Sequence, residues 1–300
     1  MSQFKRPMKA PTNPITDSEL EQLNYPVLGS PKLDGFRCLV LDQPYTSSMK
    51  PFGNRFVQRE LSKPMYRGLD GELIVGPANS PDAFHNTSGP LRRADGEPDF
   101  KFYAFDRVVH PDRTYLNRWL YSDLLDSERL IILEQRPLFS PLEVQGFEQE
   151  MLAHGYEGAM IRSPNGIYKQ GRCTLKEKDM FKRKPFVETE ARILAFEEAM
   201  TNDNEPVENE LGLIKRSHSR ENMFPAGTLG KFVLLSAPWP LPFRAAPGKG
   251  FTAEIRQTLW DKRHFYTDQI ATVKYQKHGS REAPRLPSVI KIRPIWDIGG

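Results

Sequence analysis

The sequence predicts an α+β domain over residues 1–185 followed by a small β-barrel over 186–300. Three observations carry that division. A chain of 300 residues suits two modest domains better than one. Before Pro185, helical patterns mix with strands entered through Asp-Gly turns, which favours separate antiparallel sheets and helices over a doubly wound sheet. After Pro185, short strand-like pieces surround one helical segment, the pattern of a small Greek-key barrel such as an OB-fold.

The elements follow in order. Residues 17–24 read as a short helix capped by Thr16 or Asp17. "RCLVLD" (37–42) is a strand leaving the turn at Asp34-Gly35, and "LDGELIVG" (69–76) is entered through Asp70-Gly71. "FKFYAFDRVV" (100–109) alternates large apolar and polar residues, as a half-buried strand does. Helical patterns cover 117–135 and 141–154, and strands cover 157–164 and 179–186. In the second domain, 230–236, 271–278 and 287–294 are strands and 252–263 is a helix. The polar stretch 201–225 is expected to be an insert disordered on its own, and "APWPLPF" (237–243) predicts a rigid loop.

Composition bounds the function. Hydrophobic residues make up 38% and charged residues 27%, an ordinary soluble balance. No apolar run reaches the length of a membrane helix, and the first residues lack an apolar signal region, so a cytoplasmic protein without a membrane partner is expected. Cys38 and Cys173 fit neither a disulfide framework nor a zinc spacing, and the six histidines form no HxxH pair. Net charge is only +4, but it is segregated. Residues 169–184 hold seven Lys/Arg against two acids, and 274–293 hold six against one. Between them, 188–210 carries eight acids and one cation. Such segregation makes basic surfaces on a nearly neutral molecule.

The chemistry-bearing residues begin at "SPKLDGFR" (30–37). Lys32 stands before a tight turn with Asp34 placed to orient its amine and Arg37 just beyond. A lysine serves as a nucleophile only when cations, a metal or desolvation lower its pKa. "DGE" supplies Glu72 at a strand start, "FYAFD" supplies Phe105 and Asp106, and "EGAMIR" supplies Glu157. "FKRK" supplies Lys182 and Lys184 on one side of a strand. These are the parts for attack of a lysine on a nucleoside triphosphate: nucleophile, stacking aromatic, carboxylates for ribose and metal, and cations for phosphates.

In this order the series resembles the covalent nucleotidyltransferases, and among them the minimal ATP-dependent DNA ligases of viruses and phages. The resemblance covers nearly the whole chain, including "FHNTSG" (84–89) and "HGSREAPRLPSVIKIR" (278–293). It implies a nucleotidyltransferase domain and an OB-fold domain. It implies ATP and Mg²⁺ (or Mn²⁺) as cofactors, nicked duplex DNA as substrate, and a monomer that clamps the duplex. Lys32 would carry AMP. Arg37 would contact the nucleotide and the 5′-phosphate of the nick. Glu72 and Glu157 would serve ribose and metal, Phe105 would stack on adenine, and Lys182 and Lys184 would hold phosphates. Arg285, Arg293 and Asp297 would complete the ATP site from the second domain. Lys215, Arg216, His218 and Arg220 in the insert would meet DNA phosphates.

Two positions depart from the family pattern. Ser47 stands where an arginine is usual, which leaves Arg55 or Arg59 to substitute, and Ile298 follows Asp297 where a cation is common. An RNA ligase or capping-type enzyme is the alternative within the superfamily. A non-catalytic single-strand-binding barrel would leave Lys32, Glu72, Glu157, Lys182 and Lys184 unexplained.

Overall fold

A computed structural model describes residues 4–119, 127–208, 214–217 and 219–293. The chain forms two compact units, Met1–Lys184 and Pro185–Gly300.

In the first unit, α1 (Asp17–Leu20) starts on a reciprocal cap in which the Thr16 side chain accepts from the Glu19 N–H and Glu19 reaches back. The strands β1 (Val27–Pro31), β2 (Phe36–Val40) and β3 (Pro44–Thr46) follow, then α2 (Arg55–Leu61), capped by Asn54. After β4 (Leu69–Val75) come α3 (Ala83–Arg92), β5 (Phe100–Arg107), α4 (Tyr115–Trp119), β6 (Leu130–Ile132) and β7 (Arg136–Leu138). The unit closes with α5 (Pro141–Ala153), capped by Ser140, then β8 (Ala159–Arg162) and β9 (Met180–Arg183). Two sheets result, in the orders β3-β2-β4-β5-β6 and β7-β1-β8-β9.

Alternation decides which faces are buried. β5 buries Phe100, Phe102, Ala104 and Asp106 and leaves the residues between them half exposed. The apolar set packs with Cys38, Leu69 and Leu73 against Phe56, Val57 and Leu61 of α2. The other sheet packs Val27, Ala159, Ile161 and Phe181 against Val144, Phe147 and Met151 of α5. Each such large side chain withdrawn from water contributes roughly 1.5–3 kcal/mol before entropy is subtracted.

The helix expected over 117–135 is not what forms. The helix α4 covers Tyr115–Trp119, and Leu130–Ile132 is instead a strand parallel to β5, with Phe102 opposite Leu130 and Ala104 opposite Ile132. Leu130-Ile131-Ile132 is a short apolar, β-branched run, for which periodicity does not separate helix from strand, and the free edge of β5 captures it. The strand expected to carry both lysines ends at Arg183, so Lys184 follows it.

In the second unit, β10 (Val187–Asn202) and a short hairpin of β11 (Pro206–Glu208) and β12 (Ile214–Arg216) precede β13 (Met223–Leu235) and β14 (Phe243–Pro247). Then come α6 (Ala253–Asp261), α7 (Arg263–Tyr266), β15 (Ile270–Gln276) and β16 (Arg285–Arg293). Five of these strands close a barrel in the order β10-β13-β14-β16-β15 around Ile193, Phe232, Leu234, Ala271, Val273 and Val289. Trp239, in the expected loop, is buried edge-on against Phe243 and Tyr275, and Phe243 already belongs to β14.

The expected disordered insert is largely strand among the described residues. β10 and β13 continue beyond the barrel as a ribbon, pairing Met200 with Pro225 and Asn202 with Met223. Asn204 is buried at its end and donates to Asn202 Oδ1, Ser217 O and Ser219 O at 2.8, 3.1 and 2.9 Å. A polar side chain thus organises a stretch whose composition reads as unstructured. No described helix is long and apolar enough to cross a membrane.

Candidate active site

Lys32 follows β1 and is anchored twice to one dipeptide. Its backbone N–H donates to the Gly158 carbonyl at 2.9 Å, and its ammonium pairs with Glu157 Oε2. Gly158 has φ +150°, and a Cβ there would lie 2.1 Å from the Arg183 carbonyl, so only glycine lets β8 and β9 approach this closely. Glu157 is 2% exposed and its other oxygen accepts from Lys184 at 2.5 Å. Burial pushes the Glu157 carboxyl up, but Lys32 and Lys184 outweigh it and hold it down at about 2. Lys182 completes the cluster, and burial together with Lys32 and Lys184 lowers its ammonium to about 8.

Arg37, on β2, lies opposite Glu72 in the register with β4 but does not pair with it. Its guanidinium reaches the diagonal neighbour, where Asp70 takes both ends of the fork at 2.6 Å. Asp70 is fully buried and also accepts the Tyr168 hydroxyl, and the Arg37 fork donates to the Met8 carbonyl at 3.0 Å. The arginine is thereby fixed rather than free to swing.

A bulge aims Phe105. The pairing of β4 with β5 passes from Asp70–Asp106 directly to Gly71–Ala104, which leaves Phe105 as the extra residue. Its ring lies 4.6 Å from the Arg37 guanidinium and 5.3 Å from that of Arg162. Asp106, next along, is 0% exposed and buried between Arg118 at 2.7 Å and Arg162 at 2.6 Å.

These residues face one cavity of about 220 Å³, lined by Lys32, Arg37, Glu72, Phe105, Arg162 and Lys182 among others. The Glu72 side chain has no hydrogen-bond or ion-pair partner among the described residues. Desolvation at the cavity wall, aided by Asp34 and Asp70 and opposed by Arg37 and Lys32, pushes its carboxyl up to about 7. A carboxyl whose folded pKa exceeds its unfolded value favours folding only while protonated. The resulting cost is absent below the ordinary 4.5 and complete above about 7. Glu72→Gln is therefore expected to raise the melting temperature at pH 8 and to raise it much less at pH 5. Equal shifts at the two pH values would contradict this origin.

Of the residues the sequence singles out, Lys32, Arg37, Glu72, Phe105 and Lys182 line the cavity. Glu157 joins through its ion pair with Lys32, and Lys184 through its ion pair with Glu157. Asp34 is buried behind the wall, near enough to Glu72 to affect its charge, while the Lys32 amine is held by Glu157. Arg55 and Arg59 lie on α2, paired with Asp95 and with Glu97, and neither lines the cavity. In the second unit, Arg285 and Arg293 mark the two ends of β16, and Arg293 pairs with Glu190 at 3.1 Å. Arg216 pairs with the Asn204 carbonyl, Arg220 is exposed in a single helical turn, and Lys215 sits on β12. Asp297, Ile298 and His218 lie outside the described residues.

Sequence reasoning missed Asp70, Tyr168, Arg162, Lys9 and Arg172. Asp70 carried a signal: it shares a strand face with Glu72 by its two-residue spacing. Arg162 ends the "EGAMIR" motif that supplies Glu157, and Tyr168, Lys9 and Arg172 come from segments whose approach to the cavity no local pattern announces.

No family model matches the chain. A DNA ligase of Natronomonas pharaonis is 34% identical over 153 residues, 45% of this chain and 25% of that protein. The chain thus spans about a quarter of the length of the curated relative it matches. Among solved structures, a Chlorella virus DNA ligase–adenylate is 26% identical with a TM-score of 0.54, covering 96% of this chain and 99% of that one. A Lig E DNA ligase shares the fold at 18% identity, with a TM-score of 0.63 over 89% of this chain and 92% of that one. In sequence over 153 residues and in fold over 96% of its length, the chain is similar to DNA ligases.

Proposed function

We propose that the chain is an ATP-dependent DNA ligase that seals 3′-hydroxyl/5′-phosphate nicks in duplex DNA. The observation that carries this is the Lys32 amine, held by Glu157 at a cavity whose other walls present Arg37, Glu72, Phe105 and Lys182. The likeness to the Chlorella virus ligase–adenylate supports it.

On this reading Lys32 attacks the α-phosphorus of ATP, forming a P–N bond as pyrophosphate leaves. A 5′-phosphate oxygen of the nick then attacks the same phosphorus and the lysine departs. Finally the 3′-hydroxyl attacks the DNA 5′-phosphorus, and AMP is released as the phosphodiester forms. Each step moves charge among phosphoryl oxygens, so placement of cations dominates the catalysis. Lys182 and Lys184 neutralise the phosphate tail beside the nucleophile. Phe105, turned inward by its bulge, offers a face for the adenine, with Arg37 braced by Asp70 at its edge.

Magnesium is usually held by one or two carboxylates plus substrate phosphates, not by an all-protein cage. That suits a cavity wall on which the Glu72 carboxylate is not engaged by another side chain among the described residues. Glu72 and Glu157 are the carboxylates that would share the ion, which supplies charge neutralisation to the phosphates. The barrel of the second unit is read as an OB-fold, and its ribbon of β10 and β13 with Arg216 and Arg220 as the part that meets the duplex backbone. Arg285, Arg293 and Asp297 are read as contributing to the ATP site.

The test is incubation with α-labelled ATP or GTP and Mg²⁺, followed by addition of nicked duplex DNA or RNA. Label on Lys32 from ATP, and its transfer to a nicked DNA 5′-phosphate with sealing, is the expected result. Label from GTP alone, sealing of RNA alone, or no lysine-linked label overturns the reading.

A further inference from the structure

Tyr168 has no part in the scheme above, and it lies behind the cavity wall rather than on it. It is buried, and its backbone N–H is fixed on the Pro111 carbonyl at 2.9 Å. The phenol joins two segments. It donates to Asp70 Oδ2, the oxygen that also accepts from Arg37 Nη2, and it accepts from the Met8 N–H at 3.0 Å. Burial first, and then Asp70, raise the phenol well above its usual range, so the hydroxyl stays a donor to the carboxylate. Arg37 Nη2 donates in turn to the Met8 carbonyl at 3.0 Å. The hydrogen bonds therefore close a ring through Arg37, Met8, Tyr168 and Asp70.

Met8 belongs to a strap, residues 4–10, that runs along the loop carrying Tyr168. The Lys5 N–H donates to Gln170 Oε1 at 2.7 Å, the Lys9 N–H donates to the Gly171 carbonyl at 2.8 Å, and the Phe4 ring lies 5.6 Å from that of Tyr168. The Tyr168 ring also carries the Arg118 guanidinium at 5.5 Å, and Arg118 shares Asp106 with Arg162. Arg37 and Arg162 are both packed on Phe105. One buried tyrosine thus touches the supports of both arginines. A paired arginine can still pivot on its carboxylate, and a third bonded group from another segment removes that freedom.

We propose that Tyr168 is a positioning residue for nucleotide binding: its hydroxyl locks the Arg37–Asp70 pair and ties residues 4–10 to it, so affinity for the nucleotide depends on a group outside the cavity. This rests on the ligase reading, in which Arg37 meets the nucleotide. The coupling is reciprocal, so a nucleotide that engages Arg37 tightens the hold on Met8.

The experiment uses Tyr168→Phe, which keeps the ring beside Arg118 and removes only the hydroxyl. In adenylation, KM for ATP is expected to rise about tenfold, the scale of one lost hydrogen bond to a charged group, with the rate at saturation within about twofold of wild type. A merely structural role would lower the rate at saturation through loss of active protein and leave KM unchanged, and that result overturns the proposal. Binding of α,β-methylene-ATP, which cannot transfer AMP, is measured by calorimetry in wild type, Tyr168→Phe, Arg37→Gln and the double variant. With Arg37 replaced there is nothing to position, so adding Tyr168→Phe should weaken binding by less than about twofold. Losses that multiply overturn the proposal. A third measurement needs no variant. In wild type labelled with 15N-methionine, exchange of the Met8 amide should slow by about fivefold or more when the analogue binds. Unchanged exchange overturns the proposal, and this measurement decides alone if Tyr168→Phe does not fold. Failure of the ligase reading shows separately, as wild-type protein that takes no label from ATP.

Discussion

Lys32→Ala is expected to take no label from ATP, and ATP-driven sealing should fall by on the order of 10⁴-fold or more, the scale of loss when a covalent nucleophile is removed. The same variant should still seal, in part, a nick whose 5′-phosphate already carries AMP, because that last step does not use the amine. Lys32→Arg is the sharper companion. It can keep an ion pair with Glu157, yet a guanidinium stays protonated and does not attack phosphorus. If Lys32→Arg retained labelling, Lys32 would be a support for Glu157 and the nucleophile would lie elsewhere. If both variants lost sealing of the pre-adenylated nick completely, the role of Lys32 would extend beyond carrying AMP.

The second large effect concerns stability. Asp106 is fully buried between two guanidiniums that are themselves nearly inaccessible, Arg118 at 2% and Arg162 at 4%. Asp106→Ala leaves both charges in the interior, and breaking a buried ion pair in this way costs about 3–5 kcal/mol. In a domain of this size, that lowers the melting temperature by on the order of 10 °C. Asp106→Asn, which keeps an acceptor but not the charge, should lose less than alanine. The effect should also reach the cavity, because Arg162 lines it and packs on Phe105. A drop in melting temperature of under about 2 °C in Asp106→Ala would mean that water reaches the arginines and the cluster is not a buried one.

What the sequence made legible and what it hid differ in range. β4 and β5 could be read because alternation is local: Phe100, Phe102 and Ala104 announce a buried face without reference to any other segment. The line of motifs from Lys32 to Lys184 was equally readable, since each motif is a few residues long. The partnership of Arg37 with Asp70 rather than Glu72 was not, because it depends on a diagonal contact between two strands. β6 was misread because a three-residue apolar run takes its structure from the strand beside it. The ribbon of β10 and β13 was misread for the opposite reason: its hydrogen bonds, not its apolar content, order it. Lys9 was invisible because no local pattern announces that its segment reaches the cavity, where it is held through Gly171 and Cys173.

The double anchoring of Lys32 also sets when the site can come into being. Lys32 and Glu157 are 125 residues apart, and the strands beside which they lie, β1 and β8, are neighbours in space but not in sequence. Closing so long a loop is slow relative to forming local hairpins. A chain emerging during synthesis, with β2 and β4 already paired, therefore holds a lysine with no carboxylate to receive it. Recovery of adenylation on refolding should lag behind recovery of secondary structure and coincide with pairing of β1 and β8. On the ligase reading, the chain takes no AMP from ATP until then.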